Sequence, residues 1–332
     1  MNSERDLPYN DLTPDLVLNA VERCGYCCDG RLLALNSYEN RVYQVGIENE
    51  TPLVAKFYRP GRWSNAAIQE EHAFALEIAD QEIPVVPPLR NEHGNTLYDY
   101  QGFRYALYPR HGGHPPELDA PDHLQWLGRF IGRIHAVGAI KRFQHRPTLD
   151  IDTFGIEPYH YLLEHNIIPS ELTLAYRTLV EDLIKQITLC DQRAGTVWHI
   201  RLHGDCHPGN ILWTDAGPHF VDLDDCRMGP AVQDLWMLLS GDRDAMTVQL
   251  GHLLAGYRQF HAFNPLELQL IEPLRTLRMI HYAAWLAKRW HDPAFPKAFP
   301  WFDSPRYWEE HILALREQAA LLNEPALTIE CE

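Results

Sequence analysis

The run LHGDCHPGNIL, residues 202–212, decides how this chain is read. Two histidines, an aspartate, a cysteine and an asparagine sit in one short polar loop closed on both sides by apolar residues. A transition-metal centre is the first chemistry to weigh, because His203, Cys206 and His207 are all ligand types. A deaminase-type zinc site also needs a distant C-x-x-C and a Glu close behind the His, and neither stands in the right place. Phosphoryl transfer suits the run better. It asks for a carboxylate that orients and deprotonates an attacking hydroxyl, and for oxygen ligands to Mg²⁺ bridging the phosphates. Asp205 fits the first task. Asn210, five residues on, can turn its amide oxygen to a hard cation, and Asp222 in VDLDD, residues 221–225, adds a charged ligand.

The spacing H-x-D-x-x-x-x-N is that of the kinase catalytic loop with Gly204 where arginine usually stands, and Asp222 follows in the expected order. A third feature lies upstream. Lys56, in the strand-like Val54-Ala55-Lys56, occupies the place of a phosphate-binding lysine, and an acid on the next helix should pair with it. Glu70 and Glu71 are the candidates; Glu71 is preferred, although helical phase alone does not separate them.

Working outward, the chain before residue 110 is strand-rich. LLALNSYEN, RVYQVGI and PLVAKFY carry β-branched and aromatic residues, and TLYDY and FRYALY flank Gln101-Gly102 as a hairpin. Thr13-Pro14-Asp15 starts one helix and Ser64 another. HGGHPP, within residues 110–116, reads as a hinge. Leu124, Leu127, Ile131, Ile134 and Val137 then recur at helical spacing, as do later segments. The expected architecture is α+β and two-lobed: a nucleotide-binding β-rich lobe over 1–109, a hinge over 110–116, and a helical lobe over 117–332 that carries the catalytic loop and the acceptor cleft.

Composition limits the partners. Lys and Arg total 29 against 45 Asp and Glu, a net charge of −16, which repels nucleic acid and anionic membrane. The polar opening residues and the lack of a long apolar run point to a cytoplasmic protein with neither leader nor membrane span. The seven cysteines, odd in number and scattered, read as free thiols; Cys24 and Cys27 form a C-x-x-C with no second ligand pair. No coiled-coil seam is visible, so a monomer is expected.

The motifs His203-Gly204-Asp205-Cys206-His207-Pro208-Gly209-Asn210 and Val221-Asp222-Leu223-Asp224 resemble the aminoglycoside-phosphotransferase/choline-kinase branch of the protein-kinase-like superfamily. NSYENRVYQ, VAKFYRP, GPAVQDLWMLL and DPAFPKAFPW extend the likeness over nearly the whole chain, to the stress response kinase A (RdoA) family. That resemblance implies a bacterial Ser/Thr protein kinase of the stress response, using ATP and Mg²⁺ and phosphorylating a protein, itself included. It makes Asp205 the proton acceptor and Asn210 and Asp222 the Mg²⁺ ligands. It also puts Lys56 on the ATP phosphates and Ser37, in the NSYEN turn, over them. Here the sequence departs from ordinary kinases: Asn36, Ser37 and Asn40 stand where a Gly-rich loop is usual.

Secondary residues divide similarly. Asp224 extends the acidic cluster, with an indirect contribution to the site as one reading of it, and Asp225 is expected to cap or pair with arginine. His135 is expected to be a core histidine bracing the catalytic loop, and Asp234 to support that loop. KRFQHRP, residues 141–147, reads as a solvated turn or as a guide for an anionic group. The aromatic residues between Tyr282 and Trp308 read as inter-helix packing or as the wall of an acceptor cleft. Two rivals remain: a small-molecule kinase acting on an amino alcohol, sugar or aminoglycoside, and a nucleotide-sensing module without turnover. The second has no use for a base at Asp205.

Overall fold

The computed structural model describes residues 8–329. In chain order it begins with α1 (Pro14–Glu22), β1 (Cys28–Ala34), β2 (Arg41–Ile47), β3 (Leu53–Phe57) and α2 (Asn65–Ala79), followed by β4 (Tyr98–Tyr100) and β5 (Phe103–Pro109). Then come α3 (Pro121–Gly138), α4 (Glu157–Glu164), α5 (Thr173–Ala194), β6 (Ile200–Leu202), β7 (Ile211–Thr214), β8 (Gly217–Phe220) and β9 (Arg227–Gly229). The chain closes with α6 (Val232–Trp236), α7 (Arg243–Tyr257), α8 (Ile271–Arg289), α9 (Ala294–Ala298) and α10 (Pro305–Leu321).

These elements fall into two units. The first takes in residues through Pro116, Phe143–Arg146 and Pro208–Cys226; the second takes in Glu117–Arg142, Pro147–His207 and Arg227 onward. The sequence assigns all of 117–332 to one lobe, whereas 208–226 groups with the first unit. The reason is backbone pairing: Val85 bridges Phe220, and His114 and Trp213 exchange hydrogen bonds of 3.1 and 2.7 Å. The same pair ties down the Gly-Pro segment read as a hinge. Gly113 must be glycine there, because a Cβ would stand 2.8 Å from the Trp213 carbonyl oxygen.

The first unit is built on a five-stranded antiparallel sheet in the order β1-β2-β3-β5-β4. Gln101 and Gly102, with φ of 50° and 84°, make the β4–β5 turn in the left-handed region that such two-residue hairpins require. The Thr13 hydroxyl accepts the Leu16 N–H at 3.2 Å and Pro14 opens α1, whose Val17, Ala20 and Val21 bury against Val45, Ala55, Phe57 and Leu107. Ser64 caps α2 in the same way, through the Ala67 N–H.

The second unit is helical, with β6 and β9 as a two-stranded ribbon. α3 and α7 approach closely because Gly128, Gly132 and Gly256 face the other helix's backbone. Among the described residues, no helix is long and apolar enough to cross a membrane. The six described cysteines are free thiols, and Cys331 lies outside the described residues.

Candidate active site

Lys56 is the centre of the first unit's polar core. It points from β3, is 7 % exposed, and its ammonium lies 3.3 Å from Glu71, 2.9 Å from Asp222 and 3.5 Å from Asp224. Burial by itself would drive the ammonium's pKa down. Asp222, Asp224 and Glu71 outweigh that effect and hold it well above the ordinary lysine value, so Lys56 stays charged. Glu71 feels the same burial, which raises its carboxyl above the usual range against the pull of Lys56.

Glu70 and Glu71 separate cleanly. Glu71 turns inward to Lys56 and to Arg146, whose Nη2 donates to it at 2.7 Å. Glu70 turns away and accepts the backbone N–H groups of Gln144, His145 and Arg146 at 2.6, 2.8 and 3.0 Å. The KRFQHRP segment is divided: Lys141, Arg142, Gln144 and His145 are exposed, as in a solvated turn, whereas Phe143 and Arg146 turn inward. Arg146 is buried, stacked 4.5 Å over Trp63, and donates to the carbonyl oxygens of Ala67 and Asp224.

Asp222 follows β8 in the left-handed conformation, φ 60° and ψ 65°, unfavourable for an L residue by about 1–2 kcal/mol. That turn leaves its side chain 50 % exposed while one oxygen meets Lys56. Asp224 lies behind it, buried. Desolvation raises its pKa, but Arg62 and then Lys56 outweigh this and hold the carboxyl below the usual range. Arg62 donates to both Asp224 and Asp225, the latter at 2.8 Å. The Asn40 amide donates to Asp224 at 3.1 Å and its oxygen accepts the Arg59 N–H at 3.1 Å. This ties the NSYEN turn to the acidic segment without a Gly-rich loop.

A cavity of about 350 Å³ opens beside these groups. Asn36 and Ser37 line it from the NSYEN turn, Lys56 and Glu71 from the core, and Asn210 and Asp222 from residues 208–226 of the same unit. Val42, Val54, Val86 and Leu212 give it an apolar slot. His72 and Tyr108 line it and begin a chain of hydrogen bonds behind it: Tyr108 OH to Tyr58 OH at 3.0 Å, Tyr58 OH to His72 Nε2 at 2.7 Å, and His72 Nδ1 to Thr96 at 2.8 Å. Burial, reinforced by Lys56 and Arg146, pushes His72 down to about 3, so its ring is neutral.

Asp205 belongs to the second unit, three residues before the boundary at Pro208. Its Oδ1 accepts from Arg278 at 2.7 Å and its Oδ2 lies 3.5 Å from His207 Nε2. Asp234 fixes the loop from within: its oxygens accept the His203 and Gly204 N–H groups at 2.8 Å each, and one also faces His135 Nε2 at 3.0 Å. His135 Nδ1 meets the Tyr257 hydroxyl at 2.9 Å. Cys206 is buried, and burial, with Asp234 and Asp205 nearby, pushes its thiol well up, which disfavours the thiolate a metal would need. Among the described residues no three His, Cys, Asp or Glu side chains gather into a metal cluster.

The sequence singled out Lys56, Glu71, Asn210, Asp222 and Ser37, and all five meet at one cavity. It missed Arg62 and Arg278, which only their ion pairs mark, and it took Arg146 only as one cation of the run at residues 141–147.

A five-stranded antiparallel sheet bearing a buried Lys–Glu pair, with an Asn and an Asp on one cavity, defines a protein-kinase-like phosphotransferase. Residues 31–271 match the model of the phosphotransferase enzyme family. Stress response kinase A of Escherichia coli is 46 % identical over 97 % of both chains. A Salmonella typhimurium protein named serine/threonine protein kinase RdoA is 43 % identical over the same share of each. Among solved structures, the amicoumacin kinase hAmiN, in complex with AMP-PNP, Ca²⁺ and Ami, superposes with a TM-score of 0.73 at 18 % identity, covering 99 % of this chain and 98 % of its own. A microcompartment-associated aminopropanol kinase gives 0.70 at 17 %, covering 93 % and 96 %. The chain belongs to the stress response kinase A family, within the phosphotransferase enzyme family.

Proposed function

We propose that this protein transfers the γ-phosphoryl group of ATP, with Mg²⁺, to a Ser or Thr hydroxyl of a protein, its own chain included, in a bacterial stress response. The observation that carries the reading is the buried ammonium of Lys56, charged and held between Glu71 and Asp222 on the wall of the cavity. Its charge and its fixed position suit an anionic phosphate chain, and the apolar slot beside it suits a base. The protein acceptor is favoured by the likeness to the Salmonella typhimurium protein named a serine/threonine protein kinase.

Each residue then has a task. Asp205 takes the proton from the acceptor hydroxyl as its oxygen attacks the γ-phosphorus and the bond to the leaving ADP breaks. Lys56 contacts the phosphates and Ser37 lies over them, while Glu71 keeps Lys56 in place. Asn210 and Asp222 offer the oxygen donors a hard cation prefers, and the exposed half of Asp222 leaves it open to one. Bound Mg²⁺ would neutralise charge between phosphate oxygens.

The test is label transfer from γ-labelled ATP with Mg²⁺, to the purified protein and to a generic Ser/Thr protein, beside Asp205→Ala. Label on Ser or Thr that disappears in the variant supports the reading. Label on small amino alcohols or sugars alone would overturn the protein acceptor, and no transfer to anything would overturn the enzyme.

A further inference from the structure

One helix of the second unit, α8, is unusually basic and meets Asp205 through Arg278. α8 has 19 residues and carries Arg275, Arg278, Lys288 and Arg289 against a single acid, Glu272, in a chain whose net charge is −16. Arg275, Arg278, Tyr282, Trp285 and Arg289 recur at three- and four-residue steps, which puts them on one stripe. All five are exposed or half-buried, whereas Leu274, Leu277, Ile280, Ala284 and Leu286 between them are buried. Tyr282 stacks on Trp285 at 5.6 Å, and the Arg289 guanidinium lies 5.1 Å over the same indole. Arg275 is tied to Glu272 at 3.2 Å.

Arg278 is the member of the stripe that meets Asp205. Its Nη1 donates to Oδ1 at 2.7 Å, and the guanidinium is 41 % exposed where the carboxylate is 21 % exposed. A guanidinium has five N–H donors in a planar fork, so this contact leaves most of them for a second anion. A cationic acceptor approaching Asp205 would meet a positive charge first. A carboxylate beside the acceptor hydroxyl would compete with Asp205 for the fork, in the two-pronged geometry that Arg and carboxylate favour.

We infer that Arg278 selects the acceptor: an acidic polypeptide segment, with a carboxylate side chain next to its Ser or Thr, lies along the α8 stripe and draws the guanidinium from Asp205. The released carboxylate then takes the hydroxyl proton. This rests on the reading of Asp205 as the base.

The experiment measures kcat/KM with γ-labelled ATP and Mg²⁺ for three peptides that differ only in Glu, Gln or Lys around one Ser. The full chain should prefer the Glu peptide over the Gln peptide by about tenfold or more, as one charge-assisted contact provides, and use the Lys peptide least. Arg278→Gln should bring the three rates together, Arg278→Lys should keep only part of the preference because an ammonium lacks the fork, and Arg278→Glu should reverse it. Equal use of the peptides by the unaltered chain, or a preference that survives in Arg278→Gln, overturns the inference while leaving the kinase reading intact. Full transfer in Asp205→Ala, or label on small alcohols and on no peptide, overturns that reading itself.

Discussion

The Arg146 guanidinium reaches the Glu71 carboxylate at 2.7 Å, on the side opposite its contact with Lys56, so one buried acid bridges two buried cations. Replacing any one of the three leaves the others with charge that burial penalises. Arg146→Ala should therefore destabilise the fold by about 3–5 kcal/mol, the usual result of stranding a buried ion. Equilibrium unfolding in urea measures it. Arg146→Lys should recover only part, because the stack on Trp63 and the forked contacts to Ala67 and Asp224 need the planar guanidinium.

Asp205→Ala and Asp222→Ala should fail in different ways if their proposed roles hold. Loss of the base at Asp205 should slow transfer by ~10²–10⁴-fold and leave nucleotide affinity nearly unchanged. Asp222→Ala should weaken nucleotide binding in the presence of Mg²⁺ as well as transfer. Calorimetric titration with a non-hydrolysable ATP analogue, with and without Mg²⁺, separates the two. Tight Mg²⁺-dependent binding by Asp222→Ala would remove it from the metal site.

Glu267 sits under the loop support. Its carboxylate accepts the Val232 N–H at 2.9 Å, at the start of the helix that carries Asp234. Burial raises its pKa from 4.5 to about 7, against the backbone bonds that lower it. Between those two pH values the folded chain holds a proton that the unfolded chain has released, so this group's contribution falls as pH rises. The penalty, on the order of 3 kcal/mol, is complete above pH 7 and relieved toward pH 4.5. His72 slopes the other way, since its folded pKa of about 3 is below the ordinary 6.5 and stability is lost as pH falls between them. Glu267→Gln should therefore gain stability relative to the unaltered chain as pH rises from 4.5 to 7. Melting curves of both proteins across that window check it; a constant difference would refute it.

Gly256→Ala should pry α3 from α7. A Cβ at Gly256 would collide with the Gln125 carbonyl oxygen, and one at Gly128 with that of Leu253; both obstacles are backbone and cannot rotate away. Overpacking of this kind costs typically ~1–3 kcal/mol. Denaturant unfolding of either variant should show it. Gly251→Ala, on the same helix with open space around it, should instead be neutral or slightly stabilising.

Much of the frame was legible in the sequence because it depends on local chemistry. Thr13-Pro14 and Ser64 announce helix starts through side chains that satisfy the first free N–H groups. Gln101-Gly102 announces a hairpin through the positive φ it tolerates. The spacing of His203, Asp205 and Asn210 shows in the order of residues alone, since all three stand on one short stretch of backbone.

What the sequence determined by itself, then, is the strands and helices, the acidic surface, the α+β class, and the loop whose residue types suit phosphoryl transfer. Only the tertiary structure decided which acid faces Lys56, because Glu70 and Glu71 differ by one position on the same helix turn. That choice is made by the backbone amides of residues 144–146, which take Glu70 away. Tertiary structure also decided that residues 208–226 group with the first unit, through single backbone bridges to Val85 and His114. It decided as well that Arg62, Arg146 and Arg278 matter, because a guanidinium acquires a role from the carboxylate it meets, and that partner lies 75 residues away for Arg146 and 73 for Arg278.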